Sequence, residues 1–132
     1  MQTISNRAWA LILACHPIPC LAVASFSGML GIGFGLPLSN AVLVFFVVLL
    51  QQISVGLSND WIDYKRDKVA NRQDKPTVNG SVSVAQLRTG SLVAAALALL
   101  ASFGMGLGPA VLMIVMLAAG WAYNLGMKLN WT

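Results

Sequence analysis

The sequence of 132 residues contains no glutamate, one histidine and two cysteines, and only 9% of its residues are charged. A soluble domain carries roughly a quarter charged residues, so this composition excludes one. The hydrophobic fraction of 58% excludes a disordered chain, which needs low hydrophobicity and high charge. Two cysteines are too few for an extracellular disulfide framework, and we interpret Cys15 and Cys20 as buried free thiols.

The few charges are concentrated in one segment. Nine of the twelve lie between Asp60 and Lys75, including all four acids. No charge occurs between Arg7 and Asp60 or between Arg88 and Lys128, which leaves uncharged stretches of 52 and 39 residues. A transmembrane helix needs about 20 apolar residues, so each stretch holds two spans. The sequence therefore predicts an all-α, multi-pass transmembrane bundle of about four helices.

The four spans are predicted within a single membrane domain that covers residues 1–132. Pro17 and Pro19 are expected to kink the first span. A polar loop is predicted over residues 60–82, and Ser83 with Gln86 has the pattern of a capping box that begins the third helix. The spans are placed at approximately Ala8–Gly31, Leu38–Leu57, Val84–Phe103 and Pro109–Met127.

The net charge of +4 does not indicate a nucleic-acid partner, because membrane proteins carry Lys and Arg in their cytoplasmic loops. All eight cations fall at one end of the predicted hairpin layout. The positive-inside rule therefore places the N-terminus, the central loop and the C-terminus in the cytoplasm. The expected location is the cell membrane, with the lipid bilayer as the surroundings.

The acids of the polar segment have a helical spacing. If the second helix continues through it, Asn59, Asp63 and Asp67 are four residues apart and share one face, with Asp60 beside them. Like charges at this spacing destabilise a helix by about 0.2–0.5 kcal/mol per pair. A magnesium ion would remove the repulsion, because Mg²⁺ is usually held by one or two carboxylates plus substrate phosphates. On spacing alone, a metal site and a solvated charged loop are equal alternatives.

Cations follow the carboxylates along the chain. Arg72 could make a bidentate contact with a phosphate, and Lys75 could supply a point charge. Asp74 lies between them and is expected to orient one of the two. We interpret the other cations of the segment as solvated: Lys65, Arg66 and Lys68.

These residues together carry a family resemblance. The run is Asn59-Asp60-x-x-Asp63-x-x-x-Asp67, followed by Arg72-x-Asp74-Lys75-Pro76. It resembles the first aspartate-rich motif of the UbiA family of intramembrane prenyltransferases, and Tyr123–Lys128 is similar to the end of that family's fourth helix. The resemblance is greatest to actinobacterial members. It covers the whole chain but only about the first half of the family's fold, in which nine helices surround a cavity open to the membrane.

The resemblance implies a function and a set of site residues. A prenyl group would move from a prenyl diphosphate to a lipophilic or aromatic acceptor such as a quinone precursor, with Mg²⁺ neutralising the leaving diphosphate. The implied catalytic residues are Asp63 and Asp67. The implied metal ligands are Asn59, Asp60, Asp63 and Asp67. The implied substrate-binding residues are His16, Arg72, Lys75, Tyr123 and Lys128.

The sequence departs from the family pattern at three points. The second aspartate-rich motif is absent, because the chain stops at Thr132, and we therefore expect an N-terminal fragment that is inactive by itself. His16-Pro17 stands where the family has Arg-Pro. The spacing from Tyr123 to Lys128 is one residue longer than in some members.

Other classes of membrane protein fit the sequence less well. A four-span multidrug transporter would need an acidic residue in the first span, which has none. A CDP-alcohol phosphatidyltransferase would need Asp-Gly at the start of the motif and an Ala-Arg pair inside it, and neither occurs. A non-catalytic module that packs against a partner half is a further alternative.

Overall fold

The computed structural model describes the backbone of residues 2–126 and the side chains of residues 6–126. Every regular element in this part of the chain is a helix, which confirms the predicted all-α membrane bundle. Three helices are long and apolar enough to span a membrane, and the first two count as a fourth span if they are taken together. The five helices are α1 (Gln2–Ala14), α2 (Pro17–Gly33), α3 (Leu38–Val69), α4 (Val84–Gly104) and α5 (Leu107–Leu125).

The first predicted span is two helices instead of one kinked helix. His16 lies between them with a left-handed backbone, at φ 54° and ψ 65°. Pro17 then begins α2, at a position where the missing N–H of proline costs no helical hydrogen bond. The two helices are bent by 58°. The break therefore falls at His16, immediately before the prolines that were expected to cause a kink.

Helix α3 has 32 residues and continues through the polar segment to Val69. The prediction of a loop beginning at residue 60 is wrong, and the non-helical segment covers residues 70–83. The sequence from Leu57 to Val69 contains neither Gly nor Pro, and Asp63 pairs with Arg66 one turn later, which favours a helix. A helix of this length is about 48 Å long, so it exceeds the roughly 30 Å of hydrocarbon core and its polar end can project from it.

The chain reverses direction directly after α3. Asn71 adopts a left-handed backbone with φ 51°. Its N–H donates to the carbonyl of Lys68 at 3.1 Å, and the N–H of Arg72 donates to the carbonyl of Asp67 at 3.0 Å. These two bonds form a Schellman motif, which satisfies the last carbonyls of the helix. The motif turns residues 72–83 back toward the bundle.

Helix α4 begins with the predicted capping box, which is confirmed. The backbone N–H of Gln86 donates to the Ser83 hydroxyl at 3.1 Å, and the backbone N–H of Ser83 donates to the Gln86 side chain at 2.9 Å. Val82 and Leu87 flank this cap and are buried in the same apolar cluster. The cap therefore fixes both the start of α4 and the end of the polar segment.

The remaining helices pack around α3, and glycines permit two close approaches. A Cβ atom at Gly56 would lie 2.6 Å from the Cys15 carbonyl oxygen at the end of α1. A Cβ atom at Gly120 would lie 2.6 Å from Val55 Cγ2. These contacts bring α1 and α5 against the part of α3 that precedes its polar end.

We expect the Gly56→Ala substitution to destabilise the protein by about 1–3 kcal/mol, because the added methyl group meets backbone atoms that cannot rotate away. Gly33→Ala is the matched control, since a Cβ atom there meets nothing within 4 Å. Thermal unfolding in detergent would measure both variants. Equal shifts in the unfolding temperature for the two variants would contradict the close approach of α1 to α3.

Candidate active site at the polar end of α3

The carboxylate of Asp60 is the most deeply buried charge of the predicted motif, at 1% exposure. Its Oδ1 atom lies 2.7 Å from Lys75 Nζ and 3.3 Å from both His16 Nε2 and Asn59 Nδ2. A buried carboxylate without such partners would carry a large desolvation cost. Three separate parts of the chain therefore meet at Asp60: the polar end of α3, the segment after it, and the break between α1 and α2.

The segment after α3 is folded so that Lys75 can reach back fifteen residues. The carbonyl of Lys75 accepts hydrogen bonds from the N–H groups of Val78 and Asn79, at 3.0 and 3.1 Å. The N–H of Val82 donates to the carbonyl of Pro76 at 3.1 Å. Pro76 and its neighbour Thr77 are buried. The position of the Lys75 ammonium is thus set by a hydrogen-bonded turn instead of by a free loop.

His16 reaches Asp60 because the chain breaks at this residue. A left-handed backbone is unfavourable for a non-glycine residue, so another interaction has to stabilise it. The contact of its imidazole with the Asp60 carboxylate is such an interaction. The His16 side chain is 44% exposed, whereas that of Lys75 is 14% exposed, so Lys75 is the more enclosed of the two partners.

Two carboxylate oxygens at this end of α3 are buried without a hydrogen-bond partner among the residues that the structure describes. They are Asp60 Oδ2 and Asp67 Oδ2. The hydroxyl of Thr77 is also buried without a partner among these residues. Buried polar atoms nearly always have a partner, so these oxygens are candidates to bind a ligand, an ion or an ordered water. Anionic oxygens would accept a cation or a hydrogen-bond donor.

Three of the four predicted metal ligands are aspartates, and they do not form a group that could hold a metal ion by themselves. Within residues 6–126, no three His, Cys, Asp or Glu side chains are close enough together to hold a metal ion. Asp60, Asp63 and Asp67 lie along one helix, where a seven-residue separation is about 10 Å of rise. Asp63 also forms an ion pair with Arg66, which the sequence interpretation had assigned to solvent. The arrangement fits an ion that a substrate helps to bind, and it does not fit a cage made by protein alone.

Arg72 and Asp74 form a bidentate pair on the outside of the turn. Arg72 Nε and Nη2 donate to the two carboxylate oxygens of Asp74 at 2.9 and 2.7 Å. The hydrogen bond and positive charge of Arg72 lower the pKa of Asp74 to about 2, and the hydrogen bond and negative charge of Asp74 raise the pKa of Arg72. Both side chains therefore remain ionised at any ordinary working pH. The expected role of Asp74 as an orienting residue stays a prediction, and Arg72 is the partner it contacts.

Of the two site residues predicted at the end of the chain, Tyr123 and Lys128, only Tyr123 lies within the described part of α5. Tyr123 is 54% exposed, and its neighbour Asn124, 4% exposed, reaches α3 instead. Lys128 lies outside the described residues. The sequence interpretation missed Asn124, although an amide within an apolar span is a recognisable signal, because polar groups in membrane helices usually face the bundle interior.

The burial of the Asp60–Lys75 ion pair predicts that it affects the stability of the fold. Lys75→Met should destabilise the fold by about 3–5 kcal/mol, because it leaves the Asp60 charge buried without its closest counter-ion. Adding Asp60→Asn to that variant removes the unpaired charge and should recover most of the loss. A double-mutant cycle on thermal unfolding would measure the coupling. Additive effects of the two substitutions would show that the pair makes no net contribution.

Comparisons with known proteins agree with the motif. A family model described as the UbiA prenyltransferase family matches residues 8–132. A curated protein of Thermococcus sibiricus, named digeranylgeranylglyceryl phosphate synthase, is 36% identical over 72 residues, which are 52% of this chain and 25% of that relative. The chain thus aligns with about a quarter of the length of the curated relative it matches, and no solved structure matches it. Because the family model covers nearly the whole sequence, the chain belongs to the UbiA prenyltransferase family.

Proposed function

We propose that the polar end of α3 binds the diphosphate of a prenyl diphosphate in an Mg²⁺-dependent prenyl transfer. The observation that supports this most directly is a pair of buried oxygens, Asp60 Oδ2 and Asp67 Oδ2, which have no hydrogen-bond partner within residues 6–126. Their seven-residue separation places them on the same side of one helix. The cations Arg72 and Lys75 lie in the turn that follows α3, and Lys75 contacts the other Asp60 oxygen. A site that combines acceptor oxygens with cations suits a metal–diphosphate complex, in which both kinds of partner are required.

The carboxylates would hold the ion together with diphosphate oxygens. Asp60 and Asp67 offer their unpartnered oxygens, and Asn59 and Asp63 complete the motif that the resemblance assigns to metal. When bound, Mg²⁺ supplies stabilisation of the negative charge that develops on the leaving diphosphate. The contact of Asp60 Oδ1 with Lys75 and His16 fixes its carboxylate plane, so Oδ2 is held in one orientation.

The cations would contact the diphosphate itself. Arg72 is half exposed and oriented by Asp74, so its guanidinium is ready to form charge-assisted hydrogen bonds with phosphate oxygens. Lys75 is more enclosed and contributes positive charge from beside Asp60. His16 is partly exposed at the same point and can contact a substrate oxygen. Tyr123 and Lys128 remain proposed substrate residues on the resemblance alone.

The apolar surroundings support a lipophilic substrate in the membrane. The polar end of the bundle would face the cytoplasm, because five of the eight Lys and Arg residues of the sequence lie in this part of α3 or in the turn after it. The acceptor that we propose is an aromatic or quinone precursor. The name of the Thermococcus sibiricus relative indicates a glyceryl phosphate lipid as a second class of acceptor.

We expect Asp67→Asn to raise the Mg²⁺ concentration needed for half-maximal turnover by about tenfold or more, because it removes an anionic ligand while preserving shape. Asp63→Ala should abolish Mg²⁺-dependent turnover. The assay follows diphosphate release from geranylgeranyl diphosphate, with a hydroxybenzoate or a glyceryl phosphate lipid as acceptor. It uses protein expressed from its complete reading frame in lipid nanodiscs. Lys65→Gln, an exposed cation on the same helix, is the control and should behave as wild type.

We further expect Arg72→Gln to weaken Mg²⁺-dependent binding of geranylgeranyl diphosphate by roughly 10- to 100-fold, the range for losing a charged hydrogen bond. Isothermal titration calorimetry in nanodiscs measures this without any acceptor. Undiminished affinity in this variant would remove Arg72 from the site. Binding that is equally tight without a divalent ion would instead contradict the proposed metal dependence.

A further inference from the structure

The amide of Asn124 ties α5 to α3 immediately before the predicted motif. Asn124 Nδ2 donates to the carbonyl oxygen of Val55 at 2.9 Å and to the hydroxyl of Ser58 at 2.8 Å. The Ser58 hydroxyl also donates to the carbonyl of Val55 at 2.9 Å. Asn124 is 4% exposed and Ser58 is fully buried, so water does not compete for these bonds. The three groups form a closed network inside the bundle.

This network acts on the backbone that carries the motif. In an α-helix the carbonyl of residue 55 accepts the N–H of residue 59, so Asn124 binds the same carbonyl that supports the Asn59 backbone. Ser58 directly precedes Asn59 and Asp60. Fixing Ser58 relative to α5 therefore fixes the rotation of α3 about its own axis at the first residues of the motif.

The rotation of α3 decides where the Asp60 carboxylate points. Each residue of an α-helix is turned by about 100° from the one before, so a modest rotation would move Asp60 away from Lys75 and His16. Those two partners come from the turn after α3 and from the α1–α2 break. Asn124 holds α3 from α5, a helix that contributes neither of these partners. The close approach of α5 to α3 at Gly120, one turn earlier, allows the Asn124 amide to reach α3.

We propose that Asn124 is a positioning residue for the prenyl transfer, holding α3 in the rotation that presents Asp60 to the metal–diphosphate complex. The proposal rests on the proposed function of the site. Asn124 acts through Val55 and Ser58 and contacts neither substrate nor ion.

The test compares two side-chain contacts between α3 and α5, that of Asn124 with two hydrogen bonds and that of Trp121 with one. Asn124→Leu removes the amide near the motif at similar volume. Ser54→Ala removes the acceptor of Trp121 Nε1, at 3.2 Å, one turn farther from Asp60. If both contacts only hold the helices together, the two variants should lose stability and turnover in the same proportion.

We expect Asn124→Leu to lower kcat by about 10- to 100-fold, as for a misplaced catalytic group, and to raise the Mg²⁺ concentration needed for half-maximal turnover, because Asp60 is displaced from the metal–diphosphate complex. Ser54→Ala should change both quantities less than about threefold, at a comparable loss of thermal stability. The double variant Asn124→Leu with Ser58→Ala should be no slower than Asn124→Leu alone, because both substitutions break one network.

A near-wild-type kcat for Asn124→Leu, or an equal loss of kcat for Ser54→Ala, would overturn the proposal. If Asn124→Leu does not fold, Ser58→Ala is used instead. It removes one of the two Asn124 bonds without changing bulk, and it should still lower kcat more than Ser54→Ala does. Absence of Mg²⁺-dependent turnover in the wild-type protein expressed from its complete reading frame would count against the proposed function, whereas normal wild-type turnover with an unaffected Asn124→Leu counts against this inference alone.

Discussion

The buried charge of Asp60 is the constraint on which the polar end of the molecule depends. A carboxylate at 1% exposure needs compensation, and the chain supplies it from two directions, with Lys75 on one side and His16 on the other. Lys75 reaches Asp60 because the Schellman motif reverses the chain after α3. His16 reaches Asp60 because the chain breaks between α1 and α2. Two irregular segments of the described chain, the α1–α2 break and the segment after α3, therefore meet at one anion.

The same charge pairing leaves the site prepared for a ligand. One oxygen of Asp60 is saturated by its partners, while the other is buried and unpartnered among the described residues. A half-satisfied buried carboxylate is unfavourable unless something further binds it, and a divalent ion bridged to a diphosphate would do so. The helix geometry separates the acids too far for a protein-only cage. Metal binding and substrate binding are thus expected to depend on each other.

Much of the fold followed from the sequence, because uncharged stretches and a capping box are local signals. The all-helical membrane bundle and the start of α4 at Ser83 are of this kind. The end of α3 was predicted nine residues or more too early, since polarity was taken to mark a loop although the residues up to Val69 favour a helix. The length of an apolar stretch and the first charged residue after it indicate where a span leaves the membrane. They do not indicate where the helix ends, which for α3 is Val69.

The candidate site was predictable only in its composition. The motif pointed to Asn59, Asp60, Asp63 and Asp67, yet the sequence could not show that Asp60 is the buried one. That depends on which side of α3 faces its neighbours, and contacts between distant segments decide it. Asn124 and Ser58 were missed for the same reason, because their contact joins residues 66 positions apart.

We propose that the polar end of α3 binds a divalent ion together with a prenyl diphosphate. Electron paramagnetic resonance of Mn²⁺, used in place of Mg²⁺, tests it most directly on the protein in nanodiscs. We expect weak Mn²⁺ binding by the protein alone, tight binding after addition of geranylgeranyl diphosphate, and loss of that tight binding in Asp60→Asn. Mn²⁺ binding that is unchanged by the diphosphate, or unchanged in Asp60→Asn, would contradict it.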